Sequence, residues 1–156
     1  MAAGLSAGDA VEAVAERCRA RVLDHLSVGG WTVAWGGIVG VDGQRVLVVG
    51  DADGAYIGHA RAAGWPVEGD DLVVFRGREA VCLPQPSSTT DITAGAVTSV
   101  VVVGRGDGPR VPLNTGQVVE ALVAVTVRSW KPPADVLRAC VELVGGADGY
   151  RVPAPS

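Results

Sequence analysis

The sequence predicts an α+β fold: one N-terminal helix, an antiparallel sheet of about six strands built from hairpins, and two C-terminal helices. Three observations carry that expectation. Apolar residues recur at three- and four-residue spacing over 9–27 and again over 136–144. Asp42-Gly43, the dipeptide favoured where two turn residues take positive φ, separates two apolar strand-like runs. The helical patterns stand apart from the strand-like ones instead of alternating with them. The 156 residues suit a single domain, with 1–8 and 147–156 expected as flexible tails.

Taken in order, Asp9 and Glu12 form a capping-box pattern at the start of the first helix. Val11, Val14, Ala15, Cys18, Val22 and Leu26 mark its buried stripe, Arg17, Arg21 and Asp24 its wet side, and Gly29-Gly30 its end. Strands are expected over 31–41 and 44–50. Trp31, Val33 and Trp35 share one face, read as core, and the second strand is apolar on both faces and therefore central or covered. Residues 51–70 are Gly-rich and weakly periodic, a loop around the anchored piece Ala55-Tyr56-Ile57. A second hairpin joins 72–75 to 79–83 through Arg76-Gly77-Arg78, and a turn-rich connector covers 84–91. A third hairpin pairs 96–103 with 110–113 through the turn Gly104-Arg-Gly-Asp-Gly108. Asn114, with Gln117 three residues on, caps a helix reaching Trp130, although its β-branched interior leaves a strand as the alternative. Pro132-Pro133 breaks it, and Val136, Leu137, Cys140, Val141 and Val144 give the last amphipathic helix. By this periodicity Val22, Leu47, Val102 and Cys140 are core.

Composition narrows the function classes. With 48% apolar and 19% charged residues, the chain is too hydrophobic for a disordered one. Its length leaves no room for separate cofactor and substrate lobes. Thirteen basic against seventeen acidic residues, net −4, provide no basic footprint for nucleic acid. Twelve of the basic residues are Arg and one is Lys, a bias associated with GC-rich genomes. Three widely spaced cysteines are not a disulfide framework, and a reducing compartment follows. Charges at Glu12, Glu16, Arg17, Arg19 and Arg21 break any signal-peptide apolar region, and no aliphatic run approaches a membrane span. A cytoplasmic protein is expected, with signal-less export as the alternative.

Catalytic signatures are sparse. The two histidines, His25 and His59, lack partners at metal-ligand spacing, so neither metal nor cofactor is expected. There is no Gly-x-Ser-x-Gly elbow and no Walker loop. Asp51-Ala-Asp53-Gly54 lacks the spacing of a calcium loop and reads as a turn, as does Arg105-Gly106-Asp107. The long 51–70 loop is the candidate binding segment. Within it Tyr56, Ile57 and Trp65 offer apolar and aromatic contact, and His59 a group that titrates near neutral pH.

The run from Val39 to Gly50, then Asp53-Gly-Ala-Tyr-Ile57 and Gly64-Trp-Pro-Val67, resembles a segment of small actinobacterial domains of unknown function, some encoded near type VII secretion loci. Trp35-Gly36-Gly37 spells the Trp-x-Gly of small type VII substrates, but in an expected strand. The residue four after Tyr150 is Ala154, where the export tail motif has an acid. The resemblance therefore implies an accessory rather than a substrate. The leading expectation is a non-catalytic protein-interaction or accessory domain, chaperone-like or regulatory, whose partner is another protein or a second copy, and not nucleic acid or membrane. A small enzyme or ligand sensor using the 51–70 loop, with Asp53 beside Tyr56 and His59, is the alternative. A structural subunit of a larger assembly, such as a phage particle, is the third.

Overall fold

A computed structural model describes residues 6–83, 94–105, 108–127 and 131–155. The architecture is α+β, with two sheets where one was expected. The described elements run α1 (Ala7–Val28), β1 (Thr32–Trp35), β2 (Gly37–Val41), β3 (Gln44–Val49), α2 (Ala55–Ala62), β4 (Val67–Gly69), β5 (Leu72–Arg76), β6 (Glu79–Cys82), β7 (Gly95–Ala96), β8 (Ser99–Gly104), β9 (Val111–Leu113), α3 (Thr115–Val125), α4 (Pro133–Val144) and β10 (Asp148–Pro153). The larger sheet has the order β4-β2-β3-β8-β10-β9, the smaller β1-β5-β6-β7.

Two of the three expected hairpins form. β2 and β3 pair antiparallel from Gly37↔Val48 to Val41↔Gln44, and both turn residues, Asp42 (φ 50) and Gly43 (φ 77), take the positive φ that such a turn requires. β5 and β6 pair across Gly77. The expected strand over 31–41 is split, because the chain changes sheets at Gly36. A Cβ there would stand 2.7 Å from the Val48 carbonyl oxygen, so only glycine lets the backbone pass this close.

The third hairpin does not form. β8 lies parallel to β3 and to β10, and β10 separates it from β9. The strand over Asp148–Pro153 arises within the expected C-terminal tail, and Ala7 and Gly8, placed in the N-terminal tail, begin α1. A parallel partner needs a long crossover, supplied here by β9, α3 and α4, and no local pattern around 96–113 announces it. The connector over 84–91, the turn at Gly106-Asp107 and Trp130 lie outside the described residues.

Asn114 caps α3 as expected, accepting from the Gln117 amide at 2.9 Å while Gln117 Oε1 accepts from the Asn114 amide at 3.0 Å, which resolves 115–125 as helix. The main core joins both sheets to α3 and α4 through Leu47, Phe75, Val100, Leu122, Cys140 and Leu143. Alternation along β3 sends Leu47 and Val49 into that core and Val48 to the opposite face, where α2 supplies Ile57 and Ala60. This sheet is covered on both sides, as the doubly apolar β3 requires. Leu47 and Cys140 are buried as expected and Val102 partly so, but Val22 is 46% exposed.

Candidate functional site

α1 starts with a complete capping box: the Asp9 amide donates to Ser6 Oγ at 3.1 Å and the Ser6 amide to Asp9 Oδ2 at 3.0 Å. The cap is Ser6, not the expected Asp9. At 22 residues the helix is about 33 Å long, and none of them is buried. It meets the body along one line. Leu23 and Leu26 pack against Val33, Leu72 and Val74 on the outer face of the smaller sheet. Above them Arg19 pairs with Asp71 and lies 6.0 Å from the centre of the Trp35 ring.

The apolar stripe read as core is on the outside except at Leu26, which packs against the smaller sheet. Val11 (70%), Val14 (61%) and Val22 are among the most exposed large apolar residues, and Cys18 is exposed with them. Periodicity reports that a helix has an apolar face, but not that its own chain covers that face. Trp35, also read as core, is 52% exposed, because the chain turns into the other sheet immediately after it.

Beside Arg19 lies a cleft of about 440 Å³, lined by Trp35, Asp51, Ile57, Asp70, Asp71 and Val125 among others. Its carboxylates have structural partners. Asp51 accepts the Tyr56 and Ile57 amides, both at 3.0 Å, and so caps α2, whose own N-cap Gly54 has no side chain to do so. Asp70 pairs with Arg61 at 2.9 Å, and Asp71 with Arg19. Among the described residues no group of three or more His, Cys, Asp or Glu is arranged to hold a metal.

The residues expected to form a binding loop are divided. Residues 51–70 contain α2 and β4 instead of an irregular loop. The helix is eight residues long and buries only Ile57 and Ala60, too short a stripe to register as periodicity. Ile57 is 2% exposed and lines the cleft. Tyr56 is half-buried against Val39 and Val48, and this burial raises its phenol pKa. His59 is exposed on α2, and Trp65 is 38% exposed after it. Trp35, Asp51, Asp70 and Asp71 reach the cleft from three separate segments. Asp51 and Asp70 are the two ends of the 51–70 segment singled out in the sequence, and Trp35 belongs to the excess of four tryptophans over one Phe, but Asp71 had no advance sign.

Among the described residues no helix is long and apolar enough to cross a membrane. Comparison with protein families and with curated proteins returned no match to this chain.

Proposed function

We propose that this domain is a non-catalytic protein-interaction module with α1 as its contact element. One observation carries the reading: a 22-residue helix, well capped and attached through Arg19, Leu23 and Leu26, exposes Val11, Val14, Cys18 and Val22 along its length. An apolar stripe left in water gains free energy when a second surface covers it, and helices gain most of their stability from such packing. The structural role found for each cleft carboxylate also favours binding over catalysis. The segment resemblance supports an accessory role beside type VII secretion as part of the same proposal.

The test is recovery from native extract with wild type and with Val11→Glu. A protein held in stoichiometric amount by wild type and lost by the variant, a further copy of this chain included, supports the reading. Retention by both excludes α1 as the contact element.

A ligand-sensing domain is the second reading, favoured by the cleft, whose volume falls in the ~300–1,000 Å³ range of small-molecule sites. It draws on Asp51, Ile57 and Asp70 from the 51–70 segment. A small molecule retained by wild type and lost with Trp35→Ala would decide for it.

A further inference from the structure

We infer that α1 docks against α1 of a second copy, antiparallel and two-fold symmetric; this rests on reading α1 as the contact element and names its partner. Gly8, Val11, Ala15, Cys18, Val22 and His25 follow one another at alternating three- and four-residue spacing and are all exposed. At 3.6 residues per turn they occupy an arc of roughly 100°, turned about 75° from the Arg19-Leu23-Leu26 line that meets the body. A second helix can therefore lie along this stripe without displacing α1 from its own domain. Spacing of this kind is the seam of a two-stranded coiled coil.

The sequence of the stripe is complementary to itself when reversed. With the helices antiparallel, Val11 faces Val22 of the second copy, Ala15 faces Cys18, and Gly8 faces His25. The bulkier residue of each unequal layer meets a small one, which permits close approach. The charges agree with this register. Glu12 and Arg19 flank the stripe on the same side, and reversal brings Glu12 of each copy beside Arg19 of the other. Arg19 keeps 38% of its side chain exposed while it pairs with Asp71, and a guanidinium carries five N–H donors, more than one carboxylate uses. A parallel arrangement stacks Cys18 on Cys18 and His25 on His25, and sets Val14 and Arg21 beside Arg19 and Leu26, with no ion pair. The symmetric contact closes on itself, as a two-fold dimer does. The short seam and small side chains make it a concentration-dependent dimer, below the ~800 Å² per partner of a standard interface.

Sedimentation equilibrium of the full chain tests the association. The expected mass rises from 15.8 kDa toward twice that value as concentration increases, and Glu12→Arg shifts the midpoint at least about tenfold upward. Orientation is tested in a Cys18→Ser background, with Cys82 and Cys140 buried. Val11→Cys and Val22→Cys chains oxidised separately remain uncrosslinked, and their mixture gives a disulfide-linked pair. Crosslinking within either variant alone overturns the antiparallel register. A monomer at every concentration overturns self-pairing. If the monomer still retains another protein that Val11→Glu releases, the interaction reading survives and only the identity of the partner is lost. Both sites are exposed, so thermal melts matching wild type confirm that the variants fold.

Discussion

Arg45 and Glu68 meet as a two-point fork, Nε donating to Oε1 at 2.9 Å and Nη2 to Oε2 at 2.7 Å. Arg45 is on β3 and Glu68 on β4, two strands apart in the larger sheet. The same guanidinium donates to the carbonyls of Ala80 on β6 and Gly95 on β7, in the smaller sheet. One side chain thus ties the two sheets together, and with only 17% of it exposed the fork is shielded from water.

Arg45→Met should therefore cost about 2–3 kcal/mol in urea unfolding, since it strands a half-buried carboxylate and two carbonyls. Arg45→Lys should recover less than half, because an ammonium cannot reproduce the planar fork. A loss below ~0.5 kcal/mol for Arg45→Met, the size of an ordinary surface effect, would show that the link contributes nothing.

Asp51 caps α2 from outside the helix, so Asp51→Ala should cost about 1–2 kcal/mol. Hydrogen exchange locates the loss: the Tyr56 and Ile57 amides should exchange faster in the variant. Unchanged exchange at both would mean that the cap is not formed in solution.

Leu47→Ala and Val22→Ala form a contrasting pair. Leu47 is 1% exposed within the main core, so its truncation should cost ~2–5 kcal/mol. Val22 is on the exposed stripe, and measured on dilute monomer its truncation should change stability by less than about 0.5 kcal/mol. Equal losses would place α1 against its own domain and remove the basis for an α1 contact.

The thiols should separate by burial. Native protein should give one fast-reacting thiol, Cys18, with Cys82 and Cys140 labelled only on unfolding. Burial pushes the Cys82 thiol up to about 12 from an ordinary 9.0. Below 9.0 both folded and unfolded chains hold that proton, and the stabilisation is complete. As the pH rises from about 9 toward 12 the unfolded chain ionises first, so stability falls. The urea midpoint should drop over this window, and less steeply in Cys82→Ala. An identical slope in that variant would assign the alkaline loss to other groups.

The sequence by itself determined what lies within a few residues. Asn114 meets Gln117 three positions on, Asp42-Gly43 turns the strands that flank it, and Gly77 turns β5 into β6. Each outcome depends on backbone preference and a short-range hydrogen bond, and both are written locally. The continuous apolar run of β3, Val46 to Val49, likewise announced a strand covered on two faces. Of the candidate site, Ile57 was legible because an aliphatic group in a Gly-rich stretch must find a surface to cover.

Tertiary structure decided which surface each apolar face would meet. Ser99 pairs with Asp148, not with the nearby strand at Val111, because a six-residue parallel partner offers β8 more ladder bonds than a three-residue hairpin arm. Trp35 was turned outward by the sheet change at Gly36, and the cleft brought it together with Asp51 and the adjacent pair Asp70-Asp71. The stripe on α1 has the spacing of a buried face, yet Leu23 and Leu26 take the available contact with the body and leave Val11 and Val14 in water. Hydrophobic periodicity records the preference of side chains to leave water. Where they can do so depends on the area left free once the sheets, α3 and α4 have closed on one another, and no window along the chain contains that information.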